Sequence, residues 1–269
     1  MLDRAGQLSF GGWALVRNRT AVAVTALALA WAAGPAHAAN VRVAVAANFA
    51  APLSQMAPAF TAATGHRILP SPGPTGRFYT QITVGGAPFE VLLAADAQTP
   101  RRLIAEGHAV AGSSFTYAIG QLVLWSAQPG LIDDQGAVLG SPRLGKLAIA
   151  NPKVAPYGAA AMQVLHARGL AETLAPRLVT GDSIAQAYQF VLSGNADAGF
   201  VALSQVAVPG RPVTGSMWAV PASLYAPIRQ DAVLLEAGAR NPAAQALLDW
   251  LKTPAARAVI SSYGYQLAP

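Results

Sequence analysis

Four short turns carry the residue types that could hold a small anion. In each, a β-forming segment gives way to a predicted helix, and a small polar or aromatic residue stands where the helix begins. The first N–H groups of a helix have no intrahelical acceptor and lie at the positive end of its dipole, so each turn is a possible anion site. Asn, Ser and Thr are also ordinary capping residues, so one turn alone indicates little. The turns are Ala47-Asn48, Pro74-Thr75-Gly76, Ala155-Pro156-Tyr157-Gly158 and Asp182-Ser183-Ile184.

Other kinds of site find little support. The four histidines lack metal-ligand spacing, and no metal site is predicted. No serine lies in G-x-S-x-G, no phosphate loop or dinucleotide fingerprint is present, and spacing alone neither supports nor excludes a Ser-His-Asp triad. Asp96 follows an apolar segment and is interpreted as a cap for the next helix or a loop tie. We therefore predict no enzyme and no cofactor.

Composition narrows the function classes further. The chain has 269 residues, of which 53% are hydrophobic and 11% charged, enough to bury one large core or two modest ones. Its net charge is +6, but only three lysines are present and the arginines are scattered, so no basic stripe predicts nucleic-acid binding. The absence of cysteine excludes disulfides, thiolate zinc sites and thiol nucleophiles.

The N-terminus has the pattern of a secretory signal. Arg4, Arg17 and Arg19 precede an uncharged apolar run over residues 21–33, and Ala36-His37-Ala38 presents small residues at a cleavage site. The run is shorter than the ~20 residues that span a bilayer, which disfavours the alternative of a membrane anchor. We predict a signal peptide over residues 1–38 and a periplasmic protein.

Strand-like and helix-like segments alternate through the rest of the chain, which predicts an α/β fold with mainly parallel sheets flanked by helices. Residues 117–125 are predicted as one long strand. Two long crossing segments, near residues 116–120 and 226–231, predict two lobes joined by a two-strand hinge. Lobe 1 would contain residues 39–117 with 228–269, and lobe 2 residues 118–227. Ligands of open α/β sheets bind beyond the C-terminal strand ends, so the cleft between the lobes is the expected site.

Several segments in order resemble the periplasmic molybdate-binding proteins of ABC transporters. The resemblance runs from about residue 41 to residue 269, and the ordered set is more specific than any single motif. The segments are VAVAANF (43–49), TGRFYTQI (75–82), GAPFEV (86–91) with AAD (94–96), FTYAIG (115–120) with LVLW (122–125), ANPKVAPYG (150–158) and DAGFV (197–201).

The resemblance implies a type II periplasmic-binding-protein fold that holds molybdate or tungstate between its lobes and delivers it to an inner-membrane permease. The contacts would reach the oxygens of the anion rather than the metal. Asn48 and Ile184 would contribute backbone N–H groups, and Thr75 and Tyr157 hydroxyls as well. Ala47 stands where relatives often have Thr or Ser, so it would contribute its backbone at most. We expect a monomer.

Some residues depart from the family pattern, and other functions stay open. Pro72 and Pro74 stiffen a loop that is commonly rich in Ser and Gly, and Pro74 has no N–H. Asp182 is the one acidic residue in the four turns and is interpreted as a helix cap. A phosphate site would be expected to include a carboxylate that accepts the ligand's proton. Sulfate or phosphate binding is the nearest alternative, followed by a periplasmic enzyme, a sensor or an adhesin of similar fold.

Overall fold

The computed structural model describes residues 38–268, which contain ten strands and nine α-helices. The strands are β1 (Asn40–Ala46), β2 (Arg67–Gly73), β3 (Val91–Leu93), β4 (Phe115–Gly120), β5 (Leu122–Ser126), β6 (Leu147–Ala150), β7 (Leu178–Gly181), β8 (Ala198–Ala202), β9 (Ser216–Ala219) and β10 (Ile228–Leu234). The helices are α1 (Ala50–Thr64), α2 (Thr75–Thr83), α3 (Gln98–Ala105), α4 (Pro156–Ala167), α5 (Ala171–Leu174), α6 (Ile184–Leu192), α7 (Leu203–Val206), α8 (Pro242–Trp250) and α9 (Pro254–Ser262).

Two five-stranded sheets share one arrangement. Their strand orders are β2-β1-β3-β10-β4 and β7-β6-β8-β5-β9. In each sheet the first three strands are parallel, and the fourth runs antiparallel to both of its neighbours. The C-terminal ends of the parallel strands therefore meet at one edge of each sheet, where the helices begin.

Local sequence explains the elements that bring the turns into place. β6 is a short run of four buried apolar residues, as expected for a strand covered on both faces. In α1, Leu53, Met56 and Phe60 are fully buried at helical spacing, and the helix ends at Gly65, whose φ of 74° suits a residue without a side chain. A 3₁₀ turn over Ala47–Phe49 joins β1 to α1 and tightens the start of the predicted helix.

The prediction of one long strand over residues 117–125 is wrong. β4 ends at Gly120 and pairs with β10 in the first sheet, whereas β5 begins at Leu122 and pairs with β8 and β9 in the second. The chain passes between the sheets here and again between β9 and β10. The continuous apolar pattern concealed the change of sheet because both strands are largely buried.

None of the helices within residues 38–268 is long and apolar enough to cross a membrane. The predicted signal peptide lies almost wholly outside the described residues. Within the same described part of the chain, no group of three or more His, Cys, Asp or Glu side chains could hold a metal ion.

Candidate functional site

A small cavity lies where the strand ends of the two sheets face each other. All five residues predicted from the sequence line it. The remaining lining residues are small or apolar, and apart from the Tyr157 phenol none of the lining side chains is ionisable. The full lining is Ala46, Ala47, Asn48, Gly73, Pro74, Thr75, Ala95, Ala155, Pro156, Tyr157 and Ile184.

Thr75 is the first residue of α2 and is only 1% exposed. Pro74 precedes it as an extended N-cap residue, and its carbonyl accepts the N–H groups of Arg77 and Phe78. The missing N–H of the proline therefore falls before the first helical turn and removes none of its donors. The Thr75 hydroxyl oxygen accepts the Ala95 N–H at 2.9 Å, which leaves the hydroxyl proton as the group it can offer to the cavity.

Tyr157 and Ile184 face the cavity from the second sheet. Tyr157 is the second residue of α4, after a proline at the first helical position, where the fixed φ of proline suits the helix. Ile184 begins α6 and is 4% exposed, and the Ser183 side chain caps that helix by accepting the Gln186 N–H at 3.3 Å. Its apolar side chain leaves the backbone N–H as the one hydrogen-bond donor it can contribute.

Residues with unused backbone N–H groups line the cavity from both sheets. Thr75, Tyr157 and Ile184 lie in first helical turns, and Asn48 lies in the 3₁₀ turn after β1, so none has an acceptor within its own helix. Within residues 38–268, none of these four N–H groups donates a hydrogen bond to another group of the protein. They are oriented donors at the positive ends of helix dipoles, which is the arrangement that stabilises an anion.

A buried hydrogen-bond network behind the cavity joins the two sheets. Gln230 of β10 is fully buried, and its amide nitrogen donates to the Tyr157 hydroxyl at 3.0 Å. Its amide oxygen accepts the Asn48 side-chain N–H at 2.9 Å and lies 3.1 Å from the Tyr117 hydroxyl. The Asn48 side chain also donates to the Tyr265 hydroxyl at 2.9 Å. The Asn48 carbonyl accepts the Ser204 hydroxyl at 2.9 Å and the Tyr265 hydroxyl at 2.8 Å. Asn48 is therefore held by its side chain and its carbonyl, which leaves its backbone N–H for the cavity.

Three tyrosines of this network, which we call the buried phenols, stay protonated at neutral pH. Burial raises the pKa of each above its usual value, and for Tyr157 the neighbouring phenols add to the shift. A protonated phenol can donate a hydrogen bond to an anion, whereas a phenolate would repel it. The buried phenols are Tyr117, Tyr157 and Tyr265.

Sequence reasoning did not identify Gln230, Tyr117 or Tyr265 as part of the site. One signal was available, because Gln230 is a polar residue inside the strand-like run that becomes β10. A buried amide in a strand needs partners for both of its ends, which indicates a network. The partners themselves could not be read from the chain, since Asn48 and Gln230 are 182 residues apart.

Two contacts at the rim join the sheets over the cavity. The Gly76 N–H donates to the Val154 carbonyl at 3.0 Å, and a side chain at position 76 would collide with the Val154 backbone. Arg77 and Asp182 form an ion pair at 2.8 Å, with both side chains more than half exposed. The interpretation of Asp182 as a helix cap is wrong, because Ser183 caps α6 and Asp182 reaches across to α2.

Charged side chains lie outside the cavity, in an adjoining open groove. The groove shares Ala95, Ala155 and Pro156 with the cavity and carries Arg101, Arg102, Lys153, Arg229 and Asp96. Asp96 accepts the Thr99 N–H at 2.7 Å in the first turn of α3, as the sequence predicted, and burial raises the pKa of its carboxyl. The cavity itself offers neutral hydrogen-bond donors.

Comparison with known proteins shows the family of the chain. A family model for bacterial extracellular solute-binding proteins matches residues 41–266. The chain is 60% identical over 244 residues to the molybdate-binding protein ModA of Azotobacter vinelandii, covering 91% of this chain and 96% of that protein. It is 57% identical over 242 residues to the protein of the same name from Rhodobacter capsulatus, covering 90% and 94% of the two chains.

Solved structures show the same fold. The periplasmic molybdate-binding protein of Azotobacter vinelandii matches with a TM-score of 0.83 and 44% identity, covering 85% of this chain and 100% of that one. The sulfate-binding protein SubI of Mycobacterium tuberculosis matches with a TM-score of 0.67 at 16% identity, covering 86% and 88% of the two chains, which supports the fold alone.

Two mixed sheets facing each other over a buried, donor-lined cavity define a solute-binding protein. The chain belongs to the bacterial extracellular solute-binding proteins. The predicted fold class, a two-lobed type II periplasmic-binding-protein fold with a two-strand hinge, and the resemblance to molybdate-binding proteins are both confirmed. Membership of a solute-binding family also supports the prediction that the protein is not an enzyme.

Proposed function

We propose that the protein captures molybdate or tungstate in the cavity and delivers it to an ABC permease in the inner membrane. The N–H groups of Asn48, Thr75, Tyr157 and Ile184 bind the oxygens of the anion, and the hydroxyls of Thr75 and Tyr157 add two further donors. Ala47 contributes at most its backbone. The observation that carries this proposal is that four residues with unused N–H groups, all at helix starts, line one neutral, buried cavity.

The cavity suits an anion that carries no proton. Each of the two hydroxyls already accepts a hydrogen bond from the protein, so each has its proton left to donate. A monoprotonated phosphate needs an acceptor for its own proton, and the cavity lining contains no carboxylate. The donor set therefore favours molybdate, tungstate and sulfate over hydrogen phosphate. Similarity to molybdate-binding proteins along nine-tenths of the chain favours molybdate over sulfate.

Binding requires the two sheets to separate and close again. The side chains of Asn48, Thr75, Tyr157 and Ile184 are at most 4% exposed, so an anion cannot reach them in the closed form. The moving bodies that we propose are residues 39–120 with 228–269 and residues 121–227, because β4 stays paired with β10 as far as Gly120, three residues past the boundary predicted from the sequence. Closure of this kind is the usual hinge motion of binding proteins. The proposed site of action is the periplasm, reached through a signal peptide over residues 1–38, and the protein acts as a monomer.

Isothermal titration of the mature protein with molybdate, tungstate, sulfate and phosphate tests the ligand. We expect molybdate and tungstate to bind far more tightly than the other two. Tight sulfate binding with no molybdate response would overturn the assignment and favour the sulfate-type alternative. Absence of binding to all four anions would favour an enzyme or an adhesin.

A matched pair of variants tests the site. Thr75→Val removes a hydroxyl at the cavity while keeping side-chain size. Thr83→Val makes the same change at the other end of α2, where the hydroxyl donates to the Tyr79 carbonyl and does not line the cavity. We expect T75V to weaken molybdate binding by about 1–3 kcal/mol, the range for losing a hydrogen bond to a charged group. T83V should bind like the wild type. Equal affinities for T75V and T83V would place the anion elsewhere.

A further inference from the structure

Gln230 does not line the cavity, yet it contacts residues on both sides of it. It lies on β10 in the first sheet, and its amide nitrogen reaches Tyr157 at the start of α4, which follows a strand of the second sheet. Its amide oxygen bonds Asn48, on the first-sheet side. Its exposed fraction is 0%, so solvent cannot substitute for either contact.

The end of the amide that faces Tyr157 decides what Tyr157 can do. A phenol hydroxyl has one proton and can rotate it. When an N–H occupies the hydroxyl's lone pair, the proton points elsewhere, and the cavity is the open direction. When an amide oxygen faces the phenol instead, the proton turns to that oxygen and a lone pair faces the cavity, where it repels an oxyanion.

The surroundings favour the orientation seen. The amide oxygen meets two hydroxyl or N–H donors, on Asn48 and Tyr117, and the nitrogen meets the Tyr157 oxygen. The Asn48 side chain also donates to the Tyr265 hydroxyl, and Tyr117 lies 3.0 Å from the Ala94 carbonyl. Each of these two donors therefore keeps a second partner if Gln230 is replaced, which limits the damage to the fold.

We propose that Gln230 is a positioning residue, which holds the Tyr157 hydroxyl as a donor toward the bound oxyanion. It acts through Tyr157 and does not touch the ligand. This inference rests on the proposed function, because it needs an anion in the cavity. The inference also concerns specificity. Because the Gln230 N–H occupies a lone pair of the Tyr157 hydroxyl, that hydroxyl offers the ligand a donor and no acceptor for a proton of its own.

A double-mutant cycle tests the coupling. Gln230→Met removes both ends of the amide with little change in length, and we measure molybdate binding of the wild type, Q230M, Y157F and Q230M/Y157F by isothermal titration. We expect Q230M to weaken binding about twofold to tenfold when the phenol is present, the effect of losing one oriented hydrogen bond. In the Y157F background the same change should cost clearly less. An equal loss in both backgrounds, or no loss in either, would overturn the positioning role.

A second variant and a control separate positioning from general damage. Gln230→Glu keeps the shape of the side chain and places an acceptor against the phenol, so it should weaken binding more than Q230M. If Q230E binds molybdate as tightly as the wild type, the inference is refuted. This test remains decisive even if Q230M fails to fold. Gln55→Met removes the acceptor of another tyrosine, Tyr263, at 2.7 Å and away from the cavity. It should leave affinity unchanged, and a loss equal to that of Q230M would refute specific positioning.

The two proposals fail in different ways. If the wild type binds none of the oxyanions, the proposed function fails and the inference fails with it. If the wild type binds molybdate but the cycle shows no coupling, the proposed function stands and Gln230 is only a structural partner of Asn48.

Discussion

Removal of the Tyr157 hydroxyl is the sharpest test of how the anion is held. Tyr157→Phe keeps the ring, which is 1% exposed in the core of the second sheet, and deletes the oxygen that accepts the Gln230 N–H at 3.0 Å. Because burial raises the pKa of this phenol, the hydroxyl is a donor across the whole neutral range. The variant therefore subtracts one donor from an otherwise intact set.

The magnitude follows from the partners of that hydroxyl. Loss of a hydrogen bond to a charged ligand costs about 1–3 kcal/mol, so the dissociation constant for molybdate should rise about 5- to 150-fold. The same variant leaves the Gln230 amide nitrogen without this partner in a buried position, which lowers the free energy of unfolding by about 1–3 kcal/mol. The two effects are measured separately, affinity by isothermal titration and stability by urea unfolding without ligand.

Tyr263→Phe is the matched control for this prediction. The Tyr263 hydroxyl donates to Gln55 at 2.7 Å, and Tyr263 is likewise buried, but it does not line the cavity. We expect Y263F to lose some stability and no affinity. If Y157F binds molybdate as tightly as Y263F does, the phenol packs against the site without donating to the anion, and the proposed geometry is refuted.

Three further predictions concern the buried phenols, the rim and the space around Tyr157. The free energy of unfolding should stay level up to about pH 10 and then fall by up to about 1.4 kcal/mol per pH unit for each buried phenol. The reason is that the phenols ionise near pH 10 only in the unfolded chain. Urea unfolding between pH 8 and 11 measures this, and a free energy that stays level over that range contradicts it. Arg77→Ala should accelerate molybdate release up to about fivefold in stopped-flow measurements at low salt, the range for an exposed ion pair. Arg102→Ala, which breaks an ion pair between residues four apart in sequence, should not accelerate release. Equal release rates for the two variants would exclude a role of the Arg77–Asp182 pair in holding the site closed. Gly120→Ala should weaken molybdate binding and lower stability by about 1–3 kcal/mol because a Cβ there overlaps the Tyr157 hydroxyl, whereas Gly140→Ala places its Cβ in open space and should change neither.

The site residues that could be predicted from the sequence are those that local sequence patterns identify. Thr75, Tyr157 and Ile184 stand at helix starts, and a helix start can be read from a few neighbouring residues. To predict that these turns share one cavity, the order of the strands must also be known. That order was inferred from the alternation of strands and helices and from the family resemblance. Asp182 shows the limit, because an acidic residue at a helix start has the pattern of a cap whether or not a distant arginine takes it.

The network behind the cavity could not be predicted in the same way. Its contacts join Asn48 to Gln230 and Tyr265, which are 182 and 217 residues away, and no local pattern encodes such pairs. The break between β4 and β5 was missed for a related reason. Burial of both strands gives one continuous apolar run, and the change of sheet depends on which distant strand each half pairs with.

Neutral donors also explain how the site can release what it binds. Between the two bodies the protein makes the Gly76–Val154 backbone bond, the exposed Arg77 ion pair and the amide–phenol bond of Gln230. The Ser204 hydroxyl adds bonds with the Asn48 carbonyl and the Tyr265 hydroxyl. The net contribution of each is about 1.5 kcal/mol or less, because opening the hinge lets water replace the lost partner, so without a ligand they stabilise the closed form only modestly. In the proposed complex, six donors from both sheets bind a dianion and add the larger share, which exists only in the closed form. A ligand shifts such an equilibrium by the difference in its affinity for the two states. The proposed site thus predicts that closure is coupled to the anion. Any force that separates the sheets would divide the donors into two incomplete sets and free the ligand without having to break a salt bridge to it.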